Sequence, residues 1–149
     1  MITIKKKFIF NDNSGSYFEI FLIVTLILIA LKTSYSQTAT WDGSSSTDWN
    51  TAANWSTNSV PTSSNDVITP DVTNDPIITS SSDVCQNLTI QSGGILTSNN
   101  GSYKLTTASI TVNDGGSLVI SDGEIECTGK ADIDGCLLYT SDAADDVLC

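Results

Sequence analysis

Apolar and polar residues alternate in short runs between glycines in the second half of the chain, and one fourteen-residue stretch of this pattern occurs twice. The stretch Leu88–Gly101 aligns with Ile110–Gly123 at an offset of 22 positions. A fixed period near 20 residues, with short strands between glycine turns, is typical of a stacked β-coil. The aligned apolar pairs are Leu88/Ile110, Ile90/Val112 and Leu96/Leu118.

These alternating runs recur at intervals of 8 to 12 residues from Val67 onward, which indicates an all-β fold. The repeat predicts a short right-handed β-helix, or β-solenoid, with coils of about 22 residues and with core ladders of Ile90 over Val112 and Leu96 over Leu118. An antiparallel β-sandwich with similar strand spacing is the alternative. Tight turns with positive φ are predicted at Gly93-Gly94, Asn100-Gly101, Gly115-Gly116 and Asp122-Gly123.

Residues 1–36 have the features of a helical signal peptide. Three lysines open the segment, and the apolar run Ile20–Leu31 leads to Ser34 and Ser36 at small-x-small cleavage positions, which predicts a mature start near Gln37. This twelve-residue run is shorter than the stretch of about 20 residues that spans a bilayer, so an uncleaved membrane anchor is the less favoured interpretation. Contact with a membrane is therefore expected only through this segment.

Composition divides the remainder into three segments. Residues 37–65 are rich in Ser, Thr and Asn, contain all three tryptophans and are predicted to form an N-terminal cap. Residues 66–135 contain the repeats, and a further copy starts at Ala131. Residues 136–149 look foreign, because Cys136–Asp146 resembles a translated sequencing-library adaptor. Such a segment is excluded from fold reasoning, so the tail is expected to contribute nothing to the fold and the native protein is expected to be longer.

Charge and residue content narrow the classes of function. Between residues 37 and 135 only Lys104 and Lys130 are basic, against twelve acidic residues. Nucleic acids and anionic lipids bind basic surfaces, so neither is expected as a partner. The chain contains no histidine, which excludes His-based acid–base catalysis, a Ser-His-Asp triad and the usual zinc sites.

Cys85 and Cys127 stand 42 residues apart, which is close to two coils of the repeat. Two rungs of about 4.8 Å place their Cα atoms roughly 10 Å apart, beyond the about 7 Å that a disulfide allows. Both are interpreted as small buried apolar residues, and no disulfide is expected.

The residues from Thr40 to Gly123 carry a family resemblance. The motif WDG begins at Trp41, DWNTAANW occupies Asp48–Trp55, and NLTI occupies Asn87–Ile90. Together they resemble a recurrent Trp- and Gly-rich module of large exported bacterial surface proteins, often ones exported by the type IX route. The resemblance implies an adhesin-like right-handed β-helix, and it implies no particular activity.

Trp41, Trp49 and Trp55 are the candidate ligand-binding residues. Exposed tryptophans form platforms on which sugar rings stack. The other interpretation is a hydrophobic plug over the open end of the first coil, because the terminal repeats of a solenoid need a cap. The plug is favoured, since tryptophan adds a large apolar area where a small fold lacks core.

Asp132 and Asp134 belong to an acidic group in the last coils and are the candidate metal ligands. Carboxylates and backbone carbonyls of successive turns suit calcium. The nine-residue period of glycine-rich calcium repeats is missing, so solvated carboxylates are favoured and no cofactor is expected. Carboxylate pairs also hydrolyse glycans, but the chain has no arginine to hold a uronate, so no enzymatic activity is expected.

These observations predict a non-catalytic structural or adhesive part of a larger secreted or cell-surface protein of a Gram-negative bacterium. Glycans or other surface polymers are the expected partners, and an open C-terminal coil is expected to self-associate. The alternative is a carbohydrate-associated accessory segment of a secreted polysaccharide-degrading enzyme.

Overall fold

A computed structural model describes residues 36–141 and 144–148, and these form an all-β solenoid of about four turns with equivalent strands about 21 residues apart. The predicted solenoid is confirmed, and the handedness stays a prediction. The predicted signal peptide lies outside the described residues, apart from Ser36. The strands are β1 (Thr38–Thr40), β2 (Asp66–Thr69), β3 (Asp83–Ile90), β4 (Ile95–Ser98), β5 (Lys104–Val112), β6 (Ser117–Ile120), β7 (Glu124–Cys127), β8 (Ala131–Ile133), β9 (Cys136–Ser141) and β10 (Ala144–Leu148).

Two sheets run along the solenoid. The first has the order β1-β2-β3-β5, and the nine-residue β5 is long enough to pair with both β7 and β8. All of these pairings are parallel, which excludes the sandwich alternative. The second sheet has the order β4-β6-β9 in parallel, with β10 antiparallel to β9. Apart from strands, the described part of the chain contains a short 3-10 helix, Ala52–Asn54, and no helix there is long and apolar enough to cross a membrane.

Both predicted core ladders are confirmed. Ile90 pairs with Val112 and Leu96 pairs with Leu118, and all four side chains are buried. Buried and partly exposed positions alternate within each half of β3 and β5, because successive side chains of a strand point to opposite faces of the sheet, and two consecutive residues that are not buried separate the halves. Each fully buried Leu, Ile or Val adds about 1.5–3 kcal/mol of hydrophobic stabilisation, so the ladders contribute substantially to stability.

The predicted glycine turns divide into two kinds. Gly93 and Gly115 have φ of 81° and 78°, as the sequence predicts. Gly101 and Gly123 do not adopt positive φ, so the prediction is wrong for these two residues. Space explains them instead: a Cβ on Gly101 would lie 3.1 Å from the carbonyl oxygen of Asp122, and a Cβ on Gly123 would overlap a neighbouring serine hydroxyl.

The two internal cysteines lie in one column of the first sheet, with Thr107 between them. Cys85 pairs with Thr107, and Thr107 pairs with Cys127, so the cysteines are two rungs apart, and both are free. Cys85 is buried as predicted, but the prediction is wrong for Cys127, which is only partly buried because it lies on the outermost rung of the sheet. Burial raises the pKa of the Cys85 thiol to about 11, which keeps it protonated and unreactive. Cys136 differs from the expectation of no disulfide, because it is disulfide-bonded.

The C-terminal tail is part of the second sheet, unlike the expectation that it contributes nothing to the fold. β9 extends the parallel ladder by pairing with β6, and Leu137 stands in register with Leu118 and packs against the core. The segment CLLYTS has β-forming residues and no charge, so it fits an uncharged sheet end whatever its origin. Its foreign origin stays a prediction.

Two adjacent leucines of β9 test whether the tail is folded. Leu137 faces the core and Leu138 stands over Val119 on the other face, so Leu137→Ala is expected to lower the free energy of unfolding by about 1–2 kcal/mol and Leu138→Ala by much less. Urea denaturation of the two variants measures this difference. Equal and negligible effects would show that the tail lies outside the folded unit.

Candidate functional site

The three tryptophans form one buried cluster at the N-terminal end of the solenoid. Trp41, Trp49 and Trp55 have exposed fractions of 0%, 0% and 2%. The Trp55 ring meets the other two edge to face, with centroids 4.9 Å from Trp41 and 4.7 Å from Trp49. Edge-to-face contacts of this kind add stability beyond the buried area. The cluster covers the first coil in the way that a solenoid cap must.

Polar groups hold the tryptophan cluster in place. The indole nitrogen of Trp41 donates to the carbonyl oxygen of Asn74 at 2.7 Å, and that of Trp55 donates to the carbonyl oxygen of Trp49 at 2.8 Å. Asn54 is fully buried and its side-chain oxygen accepts from the backbone amides of two serines in the preceding loop, both at 2.9 Å. Hydrogen bonds between side chains and the backbone therefore fix the loop between the tryptophans.

This packing decides between the two interpretations of the tryptophans. A sugar platform needs an exposed ring face, and none of the three rings offers one. The arrangement agrees with the plug. The motif DWNTAANW places two of the three tryptophans six residues apart, and this motif is the sequence feature that indicates the cluster.

A polar cluster beside the cap was not predicted from the sequence. It consists of Asp48, Asn50, Thr79 and Asp83. The side-chain amide of Asn50 donates to the hydroxyl of Thr79 at 3.0 Å and to the carboxylate of Asp83 at 2.9 Å, and the Thr79 hydroxyl donates to Asp48. The four side chains join the cap to the start of β3 and to the loop before it. Ser80 and Asp83 have the spacing of a side-chain turn, but nothing in the sequence indicates that Asn50 lies opposite them.

The pKa values of the two carboxylates in this cluster are shifted in opposite directions. Asp83 is only 4% exposed, and burial raises its pKa above the ordinary 3.8, although the Asn50 amide and the backbone amides of Thr79 and Ser80 oppose the shift. The hydroxyl of Thr79 lowers the pKa of Asp48 below 3.8, and burial opposes that shift. Hydrogen bonds saturate the cluster, so its role in the described residues is to fasten the cap to the coil.

Asp132 and Asp134 are both exposed, and a lysine lies beside them. The ammonium of Lys130 is 2.7 Å from the Asp132 carboxylate, and its pKa is raised first by Asp132 and to a smaller extent by Asp134. Asp134 also lines an open cavity of about 220 Å³ with Asp114 and the Gly115-Gly116 turn. Residues 36–140 contain no group of three or more metal-ligand side chains, and calcium binding stays a prediction.

The tryptophan indoles provide a matched pair of substitutions. Trp55→Phe removes the donor to the Trp49 carbonyl oxygen and leaves that buried acceptor unpaired, so it is expected to lower the free energy of unfolding by about 1–3 kcal/mol. Trp49→Phe removes a buried indole N–H that has no hydrogen-bond partner among the described residues, so its cost is expected to be smaller. Chemical denaturation gives both values, and a larger loss for Trp49→Phe would contradict the assigned hydrogen bonding.

The polar cluster predicts opposite pH dependences for two aspartates. Because the folded pKa of Asp83 lies above 3.8, its contribution to stability is greatest below that pH and is lost as the pH rises through the folded pKa. The folded pKa of Asp48 is lowered, so its contribution is present above pH 3.8 and is lost as the pH falls through the folded pKa.

These contributions are measured as the difference in unfolding free energy between the wild type and Asp83→Asn, or Asp48→Asn, across the acid range. The stability of the wild type relative to Asp83→Asn is expected to fall with rising pH, whereas its stability relative to Asp48→Asn is expected to increase. Parallel slopes for the two variants would contradict the cluster.

Comparison with known proteins places the chain in a family. No curated protein and no solved structure matches it. The family described as a domain of unknown function, DUF8693, matches residues 40–124, which extend from the end of β1 to the start of β7 and cover more than half of the chain. The chain belongs to this DUF8693 family.

Proposed function

We propose that the chain is a structural, adhesive segment of a larger exported surface protein, with the solenoid as a stiff display surface and without catalytic activity. The observation that carries this proposal is the register of polar side chains on successive coils. Asp66, Asn87 and Ser109 stand in one column. Asn87 donates to Asp66 at 2.6 Å and accepts from Ser109 at 2.6 Å.

Such a column is a repeating array of amide, hydroxyl and carboxylate groups along the outer face of the first sheet. Its side chains are partly exposed, whereas the neighbouring Leu88 and Ile110 are buried in the core. A polymer with regularly spaced hydroxyl groups presents a matching array of donors and acceptors. Neutral glycans therefore fit this face better than polyanions, which the acidic surface repels.

Sequence features of the N-terminal segment that are typical of an export signal support the same proposal. The basic opening and the twelve-residue apolar run are followed by small residues at the expected cleavage positions. The acidic surface suits a soluble extracellular protein. The location proposed with this function is the cell surface of a Gram-negative bacterium.

A retention assay tests the adhesive function. Bacteria that display the chain are expected to bind surfaces coated with a neutral polysaccharide, and Asn87→Ala is expected to reduce this retention several-fold because it removes the centre of the polar column. Asn113→Ala is the matched control, since Asn113 is an exposed turn residue outside the column. Retention is measured under flow, together with the release of reducing sugar ends, which is expected to be absent.

Three outcomes would contradict the proposal. They are no retention on any polymer, equal loss with both asparagine variants, and release of reducing ends. An accessory role in polysaccharide degradation predicts instead that binding is confined to one soluble polysaccharide, which affinity electrophoresis detects.

A further inference from the structure

The outermost rung of the first sheet, formed by β7 and β8, has a neighbouring strand on one side only within the described residues. Glu124 and Thr128 donate backbone N–H groups to Tyr103 and Thr107 on the β5 side, at 3.1 and 2.9 Å. Alternate residues of a strand in a parallel sheet face opposite neighbours. The N–H and C=O groups of Ile125 therefore face away from β5, toward a side that no described strand covers.

The backbone groups of β8 alternate between the two sides of the strand in the same way. Lys130 accepts from Ile110 at 2.9 Å, and Asp134 donates to Val112 at 2.9 Å, so the backbone groups of Ala131 face outward in the same way. A row of unpaired backbone groups is a template for adding another strand.

The other sheet ends differ from this edge. At the N-terminal end, Ser56 donates its backbone N–H to the Thr40 carbonyl at 2.9 Å, and its hydroxyl accepts from the Thr40 amide at 3.0 Å, so a loop covers β1. At the far end of the second sheet, β10 covers β9. Within residues 36–141 and 144–148, the β7–β8 rung is thus the edge on which a parallel strand can be added in register with the first sheet, whereas the second sheet ends in the antiparallel strand β10.

Apolar side chains of the same rung are incompletely covered. Ile125 and Ile133 pack against the core but are only partly buried, whereas Leu105 and Val112, one rung further in, are fully buried. The inner residues differ from the outer ones in having a coil on both sides. A further coil would give Ile125 and Ile133 the burial that Leu105 and Val112 already have.

Charge indicates what this further coil contains. The Lys104 ammonium lies 3.2 Å from Glu124 and 2.7 Å from Glu126, so one lysine is shared by two carboxylates and one negative charge remains. Lys104 stands in register with Glu124 from the inner side. The residue in register with Glu124 from the outer side therefore faces uncompensated negative charge.

We propose that the β7–β8 edge binds a further parallel solenoid coil whose strand carries a lysine or arginine in register with Glu124. This inference rests on the proposed structural function, because it identifies the neighbour that the solenoid accepts. A second copy of the chain meets this edge less favourably, since pairing two such edges brings the carboxylates of Glu124 and Glu126 close to those of the other copy.

A peptide copy of β5 tests the proposal directly. The acetylated peptide KLTTASITV, residues 104–112, has the strand pattern and the lysine that already contact Glu124 from the inner side. Its control is the same peptide with Lys104→Glu. Binding to the full chain is measured by fluorescence anisotropy, and hydrogen exchange locates the bound strand.

The lysine peptide is expected to bind about tenfold more tightly than the glutamate peptide at low salt, because one exchange replaces an attraction by a repulsion. The difference is expected to shrink in high salt, where exposed charges are screened. The amides of Ile125, Cys127, Ala131 and Ile133 are expected to gain protection from exchange.

Variants of the full chain distinguish recognition of the charge from nonspecific binding of the peptide. The double variant Glu124→Gln with Glu126→Gln is expected to lose the preference for the lysine peptide. Asp71→Asn, which changes an exposed carboxylate of an earlier coil, is expected to retain it.

Equal binding of the two peptides, protection at other strands, or a dimer of the chain that occupies the same amides without a charge preference would each overturn the proposal. The polysaccharide retention assay uses the outer polar column and not this edge. A negative result for strand binding at the β7–β8 edge and a negative result for adhesion are therefore distinguishable.

Discussion

Parallel in-register stacking is the constraint on which the other features of this protein depend. Each residue of a coil stands over its equivalent in the next coil at the strand spacing of about 4.8 Å. Ala39, Val67, Leu88 and Ile110 form one such column, and all four are buried. A polar residue in that column would face an apolar one above and below it. The sequence must therefore repeat its residue classes with the period of the coil, and the repeat is a direct record of the stacking.

The two ends of a stacked array cannot satisfy this constraint in the way its middle does. An inner coil buries its core residues between two neighbours, whereas the first coil has a neighbour on one side. Three tryptophans supply the missing apolar contact at the N-terminal end. Their segment lengthens the first coil, so that Ala39 and Val67 in register are 28 positions apart instead of about 21. The buried Asp83, held by Asn50, fastens this longer coil to the next one.

The period of the sequence predicts the columns because the two members of each apolar pair occupy equivalent positions in successive copies of the repeat. The ladders of Ile90 over Val112 and of Leu96 over Leu118 follow from the alignment alone. Contacts between the cap and the coils have no such signal. Asn50 and Asp83 meet only because the cap folds over the loop before β3, and no period connects them. The prediction of a positive φ at Gly123 is wrong for a similar reason. Glycine is required there because a side chain of the preceding coil leaves no room for a Cβ, and not because of the φ of Gly123 itself.

The C-terminal parts of the two sheets share the parallel backbone pattern but differ in the charge of their side chains. β6, with the residues SLVI, has no charge, and it pairs with the uncharged strand β9. The β7–β8 rung offers the same parallel backbone pattern, but it carries Glu124 and Glu126 beside a single shared lysine. Any strand of alternating residues satisfies the hydrogen bonds of either edge. Under the proposed pairing, the charge of the β7–β8 rung would select among the strands that the backbone makes acceptable.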